Sequence, residues 1–423
     1  MASEKPLWPL LADAPSDADL SRCVHCGLCL NACPTYLITG LEVESPRGRI
    51  HMAKLVSDGR SELTASIQAH WELCLQCRAC EAICPSGVPY GRIQEGARAQ
   101  LDAAAPVGKN ARRIRKFVLR NVVARPRVLA TVVAPARWYA NTRARGLVRR
   151  LLRGRLRVIE SQLPHRVGAP FRATTGGTDA DRADGVLFTG CVRGELFGNV
   201  HRATERVYER AGIRLSAAAG QGCCGALHAH DGDLEFARRL ARKNIAALER
   251  TTGPIVVNSA GCGAAMKEYG DLLANDEPWA RRARAFGARV KDASELLSPT
   301  QGGAFAETVA YQDACHLVHA QRIKDGPRAL LASLEGCEMI ETPGADVCCG
   351  VAGIYSLVQP AMSAELGKRK SEQFAAAMPA VIVTANPGCH MQYEAAVREA
   401  GIQARVMHLM EVLDEAGSDD RVG

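Results

Sequence analysis

Cys23-Val-His-Cys26-Gly-Leu-Cys29-Leu-Asn-Ala-Cys33-Pro34 and Cys74-Leu-Gln-Cys77-Arg-Ala-Cys80-Glu-Ala-Ile-Cys84-Pro85 repeat one spacing, C-x2-C-x2-C-x3-C-P. This is the ligand run of a chain that holds two [4Fe–4S] cubanes. Three thiolates of a run bind three irons of one cube, and the fourth cysteine crosses to the other. Cys23, Cys26, Cys29 and Cys84 are therefore expected on the first cube, and Cys74, Cys77, Cys80 and Cys33 on the second. The proline after each fourth cysteine turns the chain away and adds no competing N–H donor. A zinc site would need separated C-x2-C pairs, usually with histidine, and leaves the third cysteine and the proline unexplained. A disulfide framework needs an oxidising compartment. The first hundred residues thus read as a one-electron carrier.

The chain has 423 residues, room for two or three domains, and a 47% hydrophobic content suited to globular cores. Met1 to Asp19 is polar and broken by prolines, so no secretory signal is expected. No apolar run reaches bilayer length; the nearest, Val128 to Ala140, is short and contains Pro135 and Arg137. Seventeen cysteines without an export signal point to thiolate ligands in a reducing cytoplasm. Eight lie in the two runs, eight in a second repeat, and Cys337 is left as a small buried hydrophobe.

That second repeat fills the C-terminal half. Its first copy is Cys191, Cys223-Cys224-Gly225 and Ser259-Ala-Gly-Cys262. Its second is Cys315, Cys348-Cys349-Gly350 and Asn386-Pro-Gly-Cys389. Gly185 to Cys191 and Thr308 to Cys315 read as buried strands ending in cysteine, and Pro254 to Cys262 and Ala380 to Cys389 as strands ending in a glycine turn. Ala/Arg/Glu/Leu-rich stretches between them, Asp233 to Arg250 and Ala361 to Ala377, read as helices. Strands alternating with helices imply parallel sheets, whose sites form at the carboxyl ends of the strands. Four cysteines per lobe are expected to converge there. Adjacent cysteines pair poorly as a disulfide, and a following glycine allows close backbone approach. Metal or cluster binding in at least one lobe accounts for the doubled Cys-Cys-Gly better than hydrophobic packing does.

Together these residues resemble the iron–sulfur subunits of glycolate oxidase. Related chains are the third subunit of anaerobic glycerol-3-phosphate dehydrogenase and the cysteine-rich "CCG" subunits of heterodisulfide reductases and lactate-oxidation complexes. The likeness extends to Ser45-Pro-Arg-Gly-Arg-Ile50, Cys84-Pro-Ser-Gly-Val-Pro-Tyr-Gly-Arg92 and Asp313-Ala-Cys-His-Leu317. It implies an electron-transfer subunit of a glycolate oxidase (glycolate dehydrogenase) complex. FAD-linked partner subunits would oxidise glycolate to glyoxylate, and electrons would leave toward quinone. Ser259 and Asn386 stand where heterodisulfide reductase subunits carry a further cysteine, which argues against disulfide-reducing chemistry. The relatives imply three states for each lobe: an additional cluster, a structural zinc, or an empty thiol pocket. The second lobe is the better candidate, because Asp313 and His316 flank Cys315 with a carboxylate and an imidazole.

No G-x-G-x-x-G opening a helix is present, so hydride chemistry belongs on another chain. No Ser-His-Asp or paired-carboxylate spacing is recognisable, and no catalytic residue is assigned. His25, His228, His230 and His390 lie near cysteines in sequence as weak candidates for tuning. Between Asp102 and Glu160 there is no acidic residue, while Lys and Arg carry more than the entire net charge of +8. The plain reading is a solvated helical connector. The sharper one, with Trp138 and Tyr139 nearby, is a peripheral contact with anionic lipid on the inner face of the cell membrane or with an acidic subunit. No nucleic-acid reading motif accompanies the charge. The expected fold is α+β and multidomain: a helical two-cluster ferredoxin domain at about 15–100, a basic helical connector at 101–183, and two α/β CCG lobes at 184–300 and 307–415.

Overall fold

The computed structural model describes residues 8–142, 145–165, 167–172, 183–299 and 303–418. Met1–Leu7, part of the stretch read above for a signal, and residues 143–144, 166 and 173–182 of the basic connector lie outside the described residues. The chain forms two compact units. One is Met1–Arg120 with Ala226–Ala237; the other is Asn121–Gly225 with Arg238–Gly423.

The first unit is helical. Ser45 starts the helix Pro46–Ser57, its hydroxyl accepting from Gly48 N at 3.0 Å with Pro46 preset at the first position. Thr64 does the same for Ala65–Leu73 by accepting from Ile67 N at 3.2 Å. With Tyr90–Ala104 these helices enclose Trp71, Ile50, Val56, Ile93 and Leu101, all nearly free of solvent. Pro34 opens the short helix Pro34–Thr39, so the proline after the first run initiates a helix as well as turning the chain.

Residues 226–237 follow the first Cys-Cys-Gly directly, yet they pack within this unit. Gly232 has φ +86°, and a Cβ there would stand 2.6 Å from the Arg98 carbonyl. Asp233 binds both Arg120 Nε and Nη2 at 2.6 Å, and Asp231 meets Arg115 at 2.7 Å. Asp231 and Asp233, acidic partners of the basic segment, are therefore supplied from far along the chain. For this reason the first lobe, read in sequence as one span from 184, gives up this segment to the other unit.

The second unit contains two four-stranded parallel sheets among the described residues. One has the order β2-β1-β3-β4, with β1 Gly185–Leu187, β2 Leu215–Ser216, β3 Ile255–Val257 and β4 Val290–Asp292. The other has the order β6-β5-β7-β8, with β5 Thr308–Tyr311, β6 Glu338–Met339, β7 Val381–Thr384 and β8 Arg405–His408. The two orders are the same, so the sequence repeat is a repeat of topology. Each order reverses between its first and third strands, where a parallel sheet leaves a crevice at its carboxyl edge. The central strands β3 and β7 are buried throughout, which explains why all their residues but Thr384 are Ile or Val.

The two lobes share one core. Leu187, Val207 and Tyr208 of the first pack with Phe305, Val309, Leu331 and Met410 of the second. The helices Gly198–Arg210 and Leu409–Ala416 meet there, with Arg206 and Arg210 on Asp414.

The basic connector is not a uniformly solvated linker. Its helix Lys109–Val118 joins the first unit, where Arg112 pairs with Glu72 and Lys116 with Asp102. The helices Pro126–Ala140, Arg145–Leu151 and Gly154–Ser161 join the second. There Arg145 meets Glu160 at 2.7 Å, and Arg149 reaches Glu160 and Glu399. Among the described residues, no helix is long and apolar enough to cross a membrane.

Candidate metal centres and thiol sites

In the first unit two hollows open between the cysteine runs. Cys23, Cys26, Cys29, Cys80 and Cys84 line one; Cys33, Cys74, Cys77 and Cys80 line the other. Each hollow thus has three cysteines of one run and the fourth cysteine of the other, with Cys80 touching both. The loops reach this arrangement through a repeated backbone device. His25 and Gly27 flank Cys26 with φ of 54° and 87°, and Gln76 and Arg78 flank Cys77 with 53° and 67°. Left-handed residues on both sides of a cysteine curl the chain so that successive N–H groups face one concavity, a nest suited to anionic sulfur. For His25, Gln76 and Arg78 that conformation is costly in the absence of a compensating interaction.

Ser45 to Ile50 supplies one arginine to each hollow. Arg47 Nη1 donates to His25 O at 2.8 Å, and a Cβ on Gly27 would stand 2.7 Å from it. Arg49 is buried; it donates to Glu44 Oε2 and Glu44 O, both at 2.7 Å, and to Thr35 Oγ1 at 3.1 Å. Thr35 Oγ1 is in turn 3.2 Å from Cys33 Sγ, and Tyr90 OH donates to Cys74 Sγ at 3.6 Å. The two hollows differ in solvation. Cys33, Cys74, Cys77 and Cys80 are buried, whereas Cys26 is exposed and Cys23, Cys29 and Cys84 are half-buried. Burial pushes the Cys29 thiol up to about 11, and burial with neighbouring thiols pushes Cys80 well above its ordinary value. Free thiols are poorly accommodated here as anions, while a metal would deprotonate them outright. The donor set, four sulfurs per hollow from two runs, fits a cubane.

In the lobes the cysteines stand beyond the strand ends, on or beside the helices that follow. Cys191 caps Val192–Leu196, Cys315 caps His316–Ala320, and Cys262 and Cys389 lie in the first turns of Ala260–Lys267 and Pro387–Ala400. The expectation that the strands themselves deliver them is corrected by that one turn of helix. The thiols do come together. Cys224 Sγ donates to Cys262 Sγ at 3.2 Å, and Cys349 Sγ to Cys389 Sγ at 3.4 Å. Cys191 is raised first by its hydrogen bond with Cys223, and Cys348 by that with Cys315. Hydrogen bonds from neighbouring thiols lower Cys262 and Cys349 instead. In each lobe the contacts run through all four thiols, Cys191 to Cys223 to Cys224 to Cys262 and Cys315 to Cys348 to Cys349 to Cys389. Among the described residues, no His, Cys, Asp or Glu group of either unit is drawn up as tightly as around a single metal ion.

Gly225 and Gly350 have φ of 90° and 91°. At Gly350 the close approach is that of helix Pro360–Ala377: a Cβ would stand 2.9 Å from Leu366 Cβ. Ser259 and Asn386 are the N-cap residues of the two cysteine-bearing helices. Asn386 acts across the lobes: its Oδ1 accepts from Gly261 N at 3.3 Å, and its Nδ2 donates to Cys389 Sγ at 3.7 Å.

The other singled-out residues are placed as follows. Asp313, expected beside Cys315, gives both carboxylate oxygens to Arg328 at 2.8 Å, so it is engaged away from the thiols. His316 Nδ1 lies 3.5 Å from where a Gly261 Cβ would be, at the other lobe. His228 and His230 fall in the first unit, where His230 Nδ1 is 2.8 Å from Glu95. His390 packs on Phe197, His25 makes an edge contact with His51, and Cys337 is half-buried at the margin of the shared core. Sequence reasoning missed Arg193 and Lys370, both buried and both polar neighbours of the lobe thiols. Nothing distinguishes Lys370 in sequence from the charged surface of its helix.

Comparison with known proteins finds both kinds of cysteine-bearing domain. A 4Fe-4S dicluster domain matches residues 19–88, and a cysteine-rich domain matches twice, at 186–267 and 309–394. The chain is similar to the probable glycolate oxidase iron–sulfur subunit of Bacillus subtilis (strain 168), 36% identical over 95% of this chain and 94% of that one. It is 33% identical to the glycolate oxidase iron–sulfur subunit of Escherichia coli (strain K12), over 95% of each. Lactate utilization protein A of Oceanobacillus iheyensis is 28% identical over 54% of this chain and 95% of its own length. Identity at this level over nearly the whole of both chains, with both domain types in the same order, decides the matter: the chain belongs to the family of glycolate oxidase iron–sulfur subunits.

Proposed function

We propose that this chain is the electron-transfer subunit of a glycolate oxidase complex, receiving electrons from an FAD-linked subunit that oxidises glycolate to glyoxylate and passing them toward a quinone. The observation that carries the reading is the pair of hollows with crossed cysteine sets. Cubanes bound there supply one-electron steps. Cys23, Cys26, Cys29 and Cys84 would hold one, and Cys74, Cys77, Cys80 and Cys33 the other. Arg47, Arg49 and Tyr90 add donors and positive charge around the sulfurs. Cys80, lining both hollows, keeps the two centres adjacent. The eight lobe cysteines would serve as ligands of additional centres.

A peripheral contact with anionic lipid is supported by the connector helices of the second unit. Trp138 and Leu151 are each 74% exposed on helices that also carry Arg127, Arg137 and Arg150. Lactate in place of glycolate is the second reading, favoured by the likeness to lactate utilization protein A.

The test is anaerobic purification of the full chain alone and with its flavoprotein partners. About eight irons in two [4Fe–4S] clusters are expected, with no bound flavin and no glycolate or lactate turnover by the single chain. Turnover with an artificial acceptor is expected only after co-expression, and the faster of the two acids identifies the substrate. A single chain that oxidised glycolate would overturn the assignment of roles. Stoichiometric zinc in place of iron would overturn the cluster reading.

A further inference from the structure

Each cysteine-rich lobe buries a cation beside its thiols with no carboxylate in ion-pair contact with it among the described residues. In the second lobe this is Lys370, 2% exposed on the helix Pro360–Ala377. Its Nζ donates to Gln312 Oε1 at 2.9 Å, Gly344 O at 2.7 Å and Ala345 O at 3.3 Å. All three acceptors are neutral, and the residue has no ion pair among the described residues. The acidic groups it faces are the thiols of Cys349, Cys389 and Cys348 and the exposed Asp346.

In the first lobe the cation is Arg193, also 2% exposed, on the helix that Cys191 caps. It donates from Nη2 to Asn258 O at 2.9 Å and stacks over Phe197 at 5.4 Å, while Nε and Nη1 are buried without a hydrogen-bond partner. It faces Glu411, Cys262, Cys389 and Asp292. Glu411 already accepts from His408 N and Asn199, and Asp292 already accepts from Ser294. Neither carboxylate is in ion-pair contact with Arg193 among the described residues, and the thiols it faces are Cys262 and Cys389, one from each lobe.

The two cations occupy different places in the repeat. The residue two after Cys315 is Leu317, where the first lobe has Arg193. The turn of helix Leu234–Leu248 that matches Lys370 carries Asn244, which donates to Cys223 O at 2.9 Å. A buried cation has thus been placed in each lobe by separate means, which a purely structural thiol cluster would not require. An unpaired buried charge costs several kcal/mol, and neutral thiols offset little of it. Four thiolates around a divalent metal, or around a [4Fe–4S] core, leave a net negative charge that offsets it directly. The hydrogen bonds that link the four thiols of each lobe exist only while the sulfurs carry protons, and they are released when a metal displaces those protons.

We propose that each cysteine-rich lobe holds an anionic thiolate-ligated centre, a thiophilic metal ion or an iron–sulfur cluster, and that Lys370 and Arg193 are its buried counter-charges, one per lobe. This deepens the reading of the lobe cysteines given above and leaves the two N-terminal cubanes independent of it.

The experiment uses the full chain purified anaerobically, with the variants Lys370→Met, Lys370→Arg, Arg193→Met and Arg193→Lys. Iron, acid-labile sulfide and zinc are counted per chain, and each cysteine's protection from iodoacetamide is mapped by mass spectrometry. Wild type should carry metal beyond the eight ferredoxin irons; matching sulfide identifies a cluster, and its absence with zinc present identifies zinc. Lys370→Met should lose the second lobe's share and expose Cys348, Cys349 and Cys389 to alkylation. Arg193→Met should lose the first lobe's share and expose Cys262. The charge-conserving Lys370→Arg and Arg193→Lys should retain metal, which separates loss of charge from failure to fold. Full metal content in both methionine variants would overturn the proposal. So would a wild type with eight irons, no zinc and freely alkylated lobe cysteines. In either case intact cubane signals in electron paramagnetic resonance would leave the electron-transfer role standing.

Discussion

Arg47 and Arg49 are two residues apart in sequence and serve different environments. Arg47 has a side chain 27% exposed and shares its charge with Glu42, so water screens much of its field. Arg49 is also paired, with Glu44, but the pair is buried, its side chain being 1% exposed, and acts in a medium where charge is felt more strongly. Reduction adds an electron to a cluster, and a nearby cation favours the reduced form. Replacing Arg49 with Met should therefore lower the midpoint potential of the second cluster, on the order of 60 mV, the one-electron equivalent of about 1.4 kcal/mol. The first cluster should move little, and Arg47→Met should show the converse pattern with a smaller shift. Potentiometric titration followed by electron paramagnetic resonance resolves the two. Equal movement of both clusters in Arg49→Met would mean a general loosening of the unit. The sequence displays both arginines but not their division of labour, because burial depends on how the helix Pro46–Ser57 lies over the second run.

At the scale of elements, the dicluster domain was the most legible part of the chain, since the cysteine spacing that marks it is repeated within two short loops. The strands were nearly as clear, because a central parallel strand must be apolar on both faces. The lobe cysteines were misplaced by a turn: a glycine before Cys262 or Cys389 reads as a turn, yet Ser259 and Asn386 cap helices there. The connector was read as solvated because its acidic partners, Glu72, Asp231 and Glu399 among them, lie far away in sequence. What remains outward on its later helices carries a prediction. Trp138, Leu147, Leu151 and Leu156 are all more than 60% exposed among arginines. The protein should co-sediment with vesicles containing phosphatidylglycerol and much less with pure phosphatidylcholine, and binding should weaken as salt rises. Trp138→Glu with Leu151→Glu should reduce binding several-fold without loss of iron. Equal binding to both vesicle types would remove the electrostatic part of this reading.

At the scale of the whole molecule, the domain order was legible and the path of the chain was not. Nothing local in residues 226–237 signals that they leave the lobe they interrupt; only the excess of unpaired arginines before Arg120 hints that acids must arrive from elsewhere. Asp233 is the centre of that junction within the first unit. Its side chain is 3% exposed, and burial alone would raise its carboxyl, but His228, Arg120 and Lys116 outweigh burial and hold it well below the usual carboxylate range. A carboxyl whose folded value is depressed stabilises the fold fully above its unfolded value, near 4, and loses that contribution as pH falls toward the folded one. Asp233→Asn leaves Arg120 short of its anion and should destabilise the first unit by about 2–4 kcal/mol at neutral pH. The deficit should shrink as pH drops below about 4, where wild type begins to lose the same interaction. Urea unfolding of the apo chain with Trp138→Phe and Trp279→Phe, so that emission comes from Trp8 and Trp71 in that unit's core, reads this across pH. A deficit that stayed constant down to the lowest accessible pH would mean that Asp233 contributes through shape and not through charge.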